Sequence, residues 1–106
     1  MYELRRVYAT LPGEERRVAS LLVEMGEVLL EAGQRPPSTV SFNGGTCPGE
    51  KQRVYMTWTA EKIESPFRAG NVLPQRYVEL RAERDQYTTD TWLQIAEVMT
   101  ADKRVG

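Results

Sequence analysis

The sequence contains no histidine. Histidine is the commonest metal ligand in proteins and the commonest general base near neutral pH. Its absence excludes histidine-based zinc sites, haem held by a proximal histidine and Ser-His-Asp triads within this chain. Any chemistry must therefore use carboxylates, tyrosines, arginines, a thiol, backbone groups or a borrowed cofactor. We expect no metal site and no resident cofactor.

Cysteine is almost absent as well, since Cys47 is the single one. One thiol cannot form a disulfide within the chain, which fits a reducing compartment. Residues 1–17 carry charges where a signal peptide needs an apolar core, so we expect no export. No run approaches the ~20 apolar residues that a membrane-spanning helix needs. These absences predict a cytoplasmic protein without a membrane partner.

An excess of basic charge is also missing. Fourteen Lys and Arg residues face fifteen Asp and Glu residues, which gives a net charge of -1. Proteins that bind nucleic acids usually show a basic excess because their partners carry phosphate groups. We therefore expect no nucleic-acid partner. A length of 106 residues, with 41% hydrophobic and 27% charged residues, is typical of one globular domain, assigned here to 1–106.

The hydrophobic pattern changes period along the chain and predicts the order β-α-β-β-α-β. Alternation of apolar and polar residues favours strands, whereas spacings of 3, 4 and 7 favour helices. On this basis Tyr77, Leu80 and Arg84 lie on one stripe of the second helix. The predicted strands cover 2–10, 39–44, 51–59 and 91–100, and the predicted helices cover 14–32 and 74–86.

The segment 91–100 fits two patterns. As a strand it places Leu93 and Ile95 on one face and Trp92 and Ala96 on the other. As a helix it begins at Thr91 as the N-cap, with Gln94 completing a capping box. The threonines at 88, 89 and 91 favour the strand because β-branched residues prefer extended backbone.

This order of elements predicts a ferredoxin-like α+β fold, with an antiparallel four-stranded sheet and two helices on one of its faces. The other face of the sheet stays uncovered in a single copy. An exposed apolar face predicts a partner, and a two-fold homodimer lets one patch cover itself. The apolar residues assigned to strands are Tyr2, Val54, Met56, Trp58 and Trp92.

Two short stretches resemble a known superfamily. The opening YELRR at 2–6, followed by Pro12-Gly13 and an amphipathic helix, resembles the NIPSNAP-like branch of the dimeric α/β-barrel superfamily. The strand VYMTW at 54–58, followed by Thr59-Ala60-Glu61, resembles the antibiotic-biosynthesis monooxygenase-like members.

The resemblance implies a ferredoxin-like protomer that dimerises through its sheet and keeps a small-molecule pocket between sheet and helices. Members include cofactor-free monooxygenases, haem-degrading enzymes, isomerases and proteins without known activity, so the fold does not choose a function. Related members often carry a histidine shortly after the tryptophan. The matching residues 63–67 contain none, which argues against haem degradation.

Three residues are candidates for contact with a substrate. Trp58, carried over by the motif, either packs on an aromatic ligand or fills the core or a dimer interface. Asn43, before two glycines, either polarises a ligand oxygen or belongs to a turn. Tyr55 either supplies a phenolic hydroxyl to a pocket that it forms with Trp58, or is one of the tyrosines that are common on strands and at interfaces.

Other polar residues carry weaker signals. Arg53 and Arg81 can clamp a carboxylate, or they are solvated or paired with neighbouring glutamates. Cys47 needs an activating cation to act as a nucleophile. Glu61 and Glu64 lie one helical turn apart, as carboxylates also do on ordinary charged surfaces.

Two functions therefore stay open. The first is a small-molecule-binding α/β-barrel homodimer, acting as a cofactor-independent monooxygenase or isomerase on an aromatic or polyketide-like substrate. The second is a non-catalytic ligand-sensing or assembly domain.

Overall fold

A computed structural model describes residues 1–65 and 67–106. Its elements follow the predicted order β-α-β-β-α-β. They are β1 (Tyr2–Thr10), α1 (Glu15–Glu31), β2 (Thr39–Asn43), β3 (Arg53–Ala60), α2 (Gln75–Asp85) and β4 (Thr88–Glu97), followed by a short 3-10 helix (Ala101–Lys103). The ambiguous tail is a strand, which confirms the favoured interpretation.

The four strands form one antiparallel sheet in the order β2-β3-β1-β4. Both helices lie on one face of it, so the ferredoxin-like α+β fold is confirmed. The strands β1 and β3 are central, and β2 and β4 are the edges. Among the described residues, no helix is long and apolar enough to cross a membrane.

The register of β1 divides its side chains between the two faces of the sheet. Leu4 pairs with Trp58 of β3 and Ile95 of β4, and these side chains belong to the helix face. Val7 pairs with Tyr55 and Trp92, which belong to the opposite, open face. The sheet therefore presents two different surfaces, one toward the helices and one open.

The core lies between α1, α2 and the helix face of the sheet. Side chains at helical spacing on α1 meet alternate residues of β3, which is the packing that the two periods predict. Each fully buried aliphatic side chain contributes about 1.5–3 kcal/mol. The most completely buried are Leu22, Leu29, Met56, Leu80, Val18 and Val54.

Gly26 lies where α1 packs closely on the sheet. A Cβ atom at this position would lie 2.7 Å from Ser38 Oγ and 3.0 Å from Met56 Cε. Any side chain here therefore needs Ser38 Oγ and Met56 Cε to move aside, which favours glycine although it is a poor helix former.

The open face is less apolar than the sequence predicts. Val54, Met56 and Trp58 lie on the helix face, whereas Trp92 lies on the open one with Val7 and Tyr55. Two arginines also stack on the aromatic rings of the open face. The Arg5 guanidinium carbon lies 3.9 Å from the centroid of the Tyr55 ring, and that of Arg53 lies 5.5 Å from the Trp92 ring.

Candidate ligand site between the sheet and the second helix

A cavity of about 300 Å³ lies on the helix face of the sheet. Its floor comes from alternate residues of β1, together with Trp58 of β3 and Leu93 of β4. One wall is α2, and the other comes from the segment after β3. The cavity exists because α2 packs mainly on α1 and reaches β4 at few points, which leaves part of the sheet uncovered.

Aromatic rings line much of this cavity. Tyr8 and Trp58 both belong to the floor, where Trp58 lies opposite Leu4, and Tyr77 comes from the buried stripe of α2. Phe67 is exposed at the rim. Aromatic side chains offer flat apolar surface to a planar ligand. Burial raises the pKa of Tyr8, although the charge of Arg84 opposes this shift, so its phenol stays protonated at neutral pH.

Arg84 occupies a core position of α2. It lies on the same helical stripe as Tyr77 and Leu80, and it is only 8% exposed. Its Nη2 donates a hydrogen bond of 2.8 Å to Asp85 Oδ1, and its guanidinium carbon lies 5.1 Å from the centroid of the Tyr8 ring. Its Nε is buried and has no acceptor in the part of the chain that the structure describes. Buried polar groups without a partner are rare and need an explanation.

Arg35 reaches the cavity from the connection that follows α1. Its guanidinium carbon lies 4.2 Å from the centroid of the Trp58 ring, and its Nη1 lies 3.9 Å from the sulfur of Met56. Burial lowers the pKa of Arg35, and the charge of nearby Arg6 acts in the same direction. Arg35 forms no ion pair with any described carboxylate.

Arg6 lies on the cavity floor between Leu4 and Tyr8, since these three share one face of β1. Its guanidinium has neither a hydrogen bond nor an ion pair with the part of the chain that the structure describes. Arg81 adds a fourth guanidinium at the rim, stacked on Phe67 at 4.6 Å from the ring centroid.

The residues proposed from the sequence for ligand contact do not lie in one place. Trp58 lines the cavity. Tyr55 lies on the open face, because it is separated from Trp58 by an odd number of positions along β3 and side chains alternate between the faces. Asn43 lies at the end of β2, where its Nδ2 donates to the carbonyl of Cys47 (3.1 Å) and its Oδ1 accepts from the backbone N–H of Gly45 (2.9 Å). Its amide therefore closes the loop after β2.

The weaker candidates are also separated. Arg81 lines the cavity, whereas Arg53 lies on the open face and pairs with Glu50 at 3.2 Å. Cys47 is exposed in the loop between β2 and β3. Glu64 lines the cavity but is largely exposed and lies 3.8 Å from Arg68.

Three of the cavity arginines were missed by sequence reasoning. Arg84 gave a signal, since it interrupts the apolar stripe of α2 where a hydrophobic residue is expected. Arg6 gave a weaker one, because it occupies a helix-facing position of β1. Arg35 gave none, since no periodic pattern predicts where a residue in an irregular segment points.

Solved structures share this architecture. The crystal structure of an uncharacterized NIPSNAP domain protein from Burkholderia xenovorans superimposes with a TM-score of 0.63 at 12% identity, over 95% of this chain and 96% of the other. This chain has the fold of a NIPSNAP domain. A protein of Agrobacterium tumefaciens solved by X-ray crystallography superimposes with a TM-score of 0.57 at 11% identity, over the same shares of the two chains. The resemblance stated from the opening strand is thus confirmed at the level of the fold.

Comparison of the sequence with known families and proteins finds no relative. No protein-family model matches the chain, and no curated protein matches it significantly. At 11–12% identity the likeness concerns the fold alone, and one fold hosts many functions.

Proposed function

We propose that this chain binds a small organic molecule with a planar ring in the cavity between the sheet and α2. The observation that carries the proposal is an aromatic-lined cavity of about 300 Å³, with Trp58, Tyr8 and Tyr77 around it. Its volume lies at the lower end of the range of small-molecule sites. A ligand of one or two rings fits this space, and the aromatic walls favour a flat one.

The ionisable groups of the cavity support binding more than catalysis. General acid–base catalysis at neutral pH works best with a group whose pKa lies near 7. The cavity instead offers arginines, which stay protonated in proteins, Tyr8, whose pKa burial raises further, and one largely exposed carboxylate, Glu64, which lies near Arg68. Such groups hold and orient a ligand. This favours the ligand-sensing alternative over a monooxygenase or an isomerase.

Replacement of Trp58 tests the proposal. Ring-bearing fragments are screened by the shift in melting temperature, and dissociation constants of the hits are then measured by calorimetry. We expect Trp58→Leu to weaken their binding about tenfold, since losing one stacking face removes roughly 1.4 kcal/mol. Tyr55→Leu is the matched control, because Tyr55 lies on the other face of the same strand. Equal weakening by both variants, or a screen without any hit, would refute a site at this cavity.

We also propose that two copies associate through the open face. Its centre is the row Tyr55–Val7–Trp92, in which Val7 is only 2% exposed although no helix covers it. The same face carries charges of both signs, with Arg5 on the central strand and Asp90 on the edge strand. A two-fold axis can place such charges opposite each other.

Light scattering combined with size-exclusion chromatography tests this association. The unaltered chain is expected to elute with twice its mass of 12.1 kDa. Trp92→Glu is expected to elute as a single copy, because it places a charge at the centre of an apolar contact. Glu97→Gln, at the end of the same strand, serves as the control and should remain a dimer. A monomeric unaltered chain at high concentration would overturn the proposal.

A further inference from the structure

The charge of the cavity differs from that of the whole chain. The chain has a net charge of -1, yet among the described residues four arginines and a single carboxylate line the cavity. That carboxylate, Glu64, already faces Arg68 outside the site. Cations gathered in a partly buried space repel one another and lose hydration, so their concentration here needs a compensating group.

Internal ion pairs do not supply that group. Arg6 has neither a hydrogen bond nor an ion pair among residues 1–65 and 67–106, and Arg35 has no carboxylate partner there. Arg84 has one, Asp85, but its Nε remains buried and without an acceptor although the residue is only 8% exposed. The guanidinium groups of these three arginines thus keep unused hydrogen-bond donors around the cavity.

We propose that the ligand is an organic anion, a ring-bearing carboxylate or an analogue with a phosphoryl or sulfonyl group, held by Arg6, Arg35 and Arg84. This inference rests on the proposed function and names the class of ligand. Guanidinium groups bind carboxylate and phosphate oxygens through two parallel hydrogen bonds.

The aromatic residues hold the arginines in place for such a ligand. Arg35 is stacked on Trp58 at 4.2 Å and Arg84 lies over Tyr8 at 5.1 Å. Each contact stabilises its guanidinium by about 0.5–2 kcal/mol. These long side chains are therefore ordered before the ligand binds, so less conformational entropy is lost on binding and the affinity is higher. The rings beside them accept the apolar part of the same molecule.

Probe molecules of similar shape but different charge show which property of a ligand the cavity recognises. Benzoate, phenyl phosphate, neutral benzamide and inorganic phosphate are titrated into the protein by calorimetry at low and high salt. We expect benzoate or phenyl phosphate to bind at least about tenfold more tightly than benzamide, because hydrogen bonds to charged groups are the strong ones. The affinity of the anions should fall with added salt, whereas that of benzamide should not.

The arginine variants locate the anion. Arg84→Met and Arg6→Met are each expected to reduce anion affinity about tenfold or more and to leave benzamide binding unchanged. Arg53→Met, on the open face, is the control and should bind as the unaltered chain does. If Arg84→Met fails to fold, Arg6→Met still decides the matter, since Arg6 is half-buried on the cavity floor and has no ion pair or hydrogen bond with the described residues that its replacement would break.

The outcomes distinguish the two proposals. Equal affinity for benzoate and benzamide would overturn the anionic ligand and leave the ring-binding site intact. Tight binding of inorganic phosphate, with no gain from a ring, would support the arginine site and overturn the ring-binding function. Anion binding that Arg53→Met reduces as much as Arg84→Met does would place the anion outside the cavity.

Discussion

Leu22→Ala is expected to lower the free energy of unfolding by about 3 kcal/mol. Leu22 is fully buried in the middle of α1, where its side chain belongs to the cluster between both helices and the sheet. Its removal loses the transfer free energy of the deleted atoms and leaves a space that rigid strands cannot close. Urea denaturation followed by circular dichroism measures the change.

Leu30→Ala is the matched control for this experiment. Leu30 lies on the same helix and is replaced by the same residue, but it is 44% exposed. We expect a loss below about 1 kcal/mol, as for other surface substitutions. Similar losses for the two variants would contradict the orientation of α1 on the sheet.

Gly26→Val is expected to lower the free energy of unfolding by about 2–3 kcal/mol. Valine normally suits a helix better than glycine, so a free helix would gain slightly. Here its Cβ would meet Ser38 Oγ at 2.7 Å, and the γ-carbons would press further on Met56. Overpacking of this kind shifts side chains and backbone in a dense core.

Glu27→Val provides the comparison, because Glu27 is the next residue and is exposed. It is expected to change stability by less than about 0.5 kcal/mol. Chemical denaturation measures the free energy of unfolding of both variants and of Gly26→Ala, and so ranks the three substitutions by how much stability each one loses. If Gly26→Val were as stable as Glu27→Val, α1 would lie farther from β2 and β3 than described.

The fold could be predicted from the sequence because the buried faces of strands and helices place apolar residues at regular spacings along the chain. The first strand has the predicted bounds, and α1 differs by one residue at each end. The last strand was harder, because 91–100 satisfies both periods. Pairing with β1 decides it, and the strand begins earlier than predicted, at Thr88, which lies opposite Thr10. Long-range pairing of this kind is invisible to a local pattern.

The site could be predicted only in part. Trp58 was found through a motif, and turn chemistry had already offered the structural explanation of Asn43. The arginine cluster could not be found, since Arg6, Arg35 and Arg84 come from a strand, a connection and a helix that are far apart in sequence. Only the packing of α2 across the sheet brings them together, and no local pattern encodes that geometry.

Arg5 and Arg6 are neighbours in the chain but serve opposite faces of the sheet, since Arg5 stacks on Tyr55 and Arg6 faces the cavity. One residue inserted or deleted between Tyr8 and Ala9 would move the preceding part of β1 to the opposite faces, because neighbouring positions of a strand alternate between the two faces of a sheet. The cavity would lose its floor and the open face its central row in a single event. Changes of chain length should therefore be tolerated in the loop 44–52, whereas in β1 they should abolish both surfaces together.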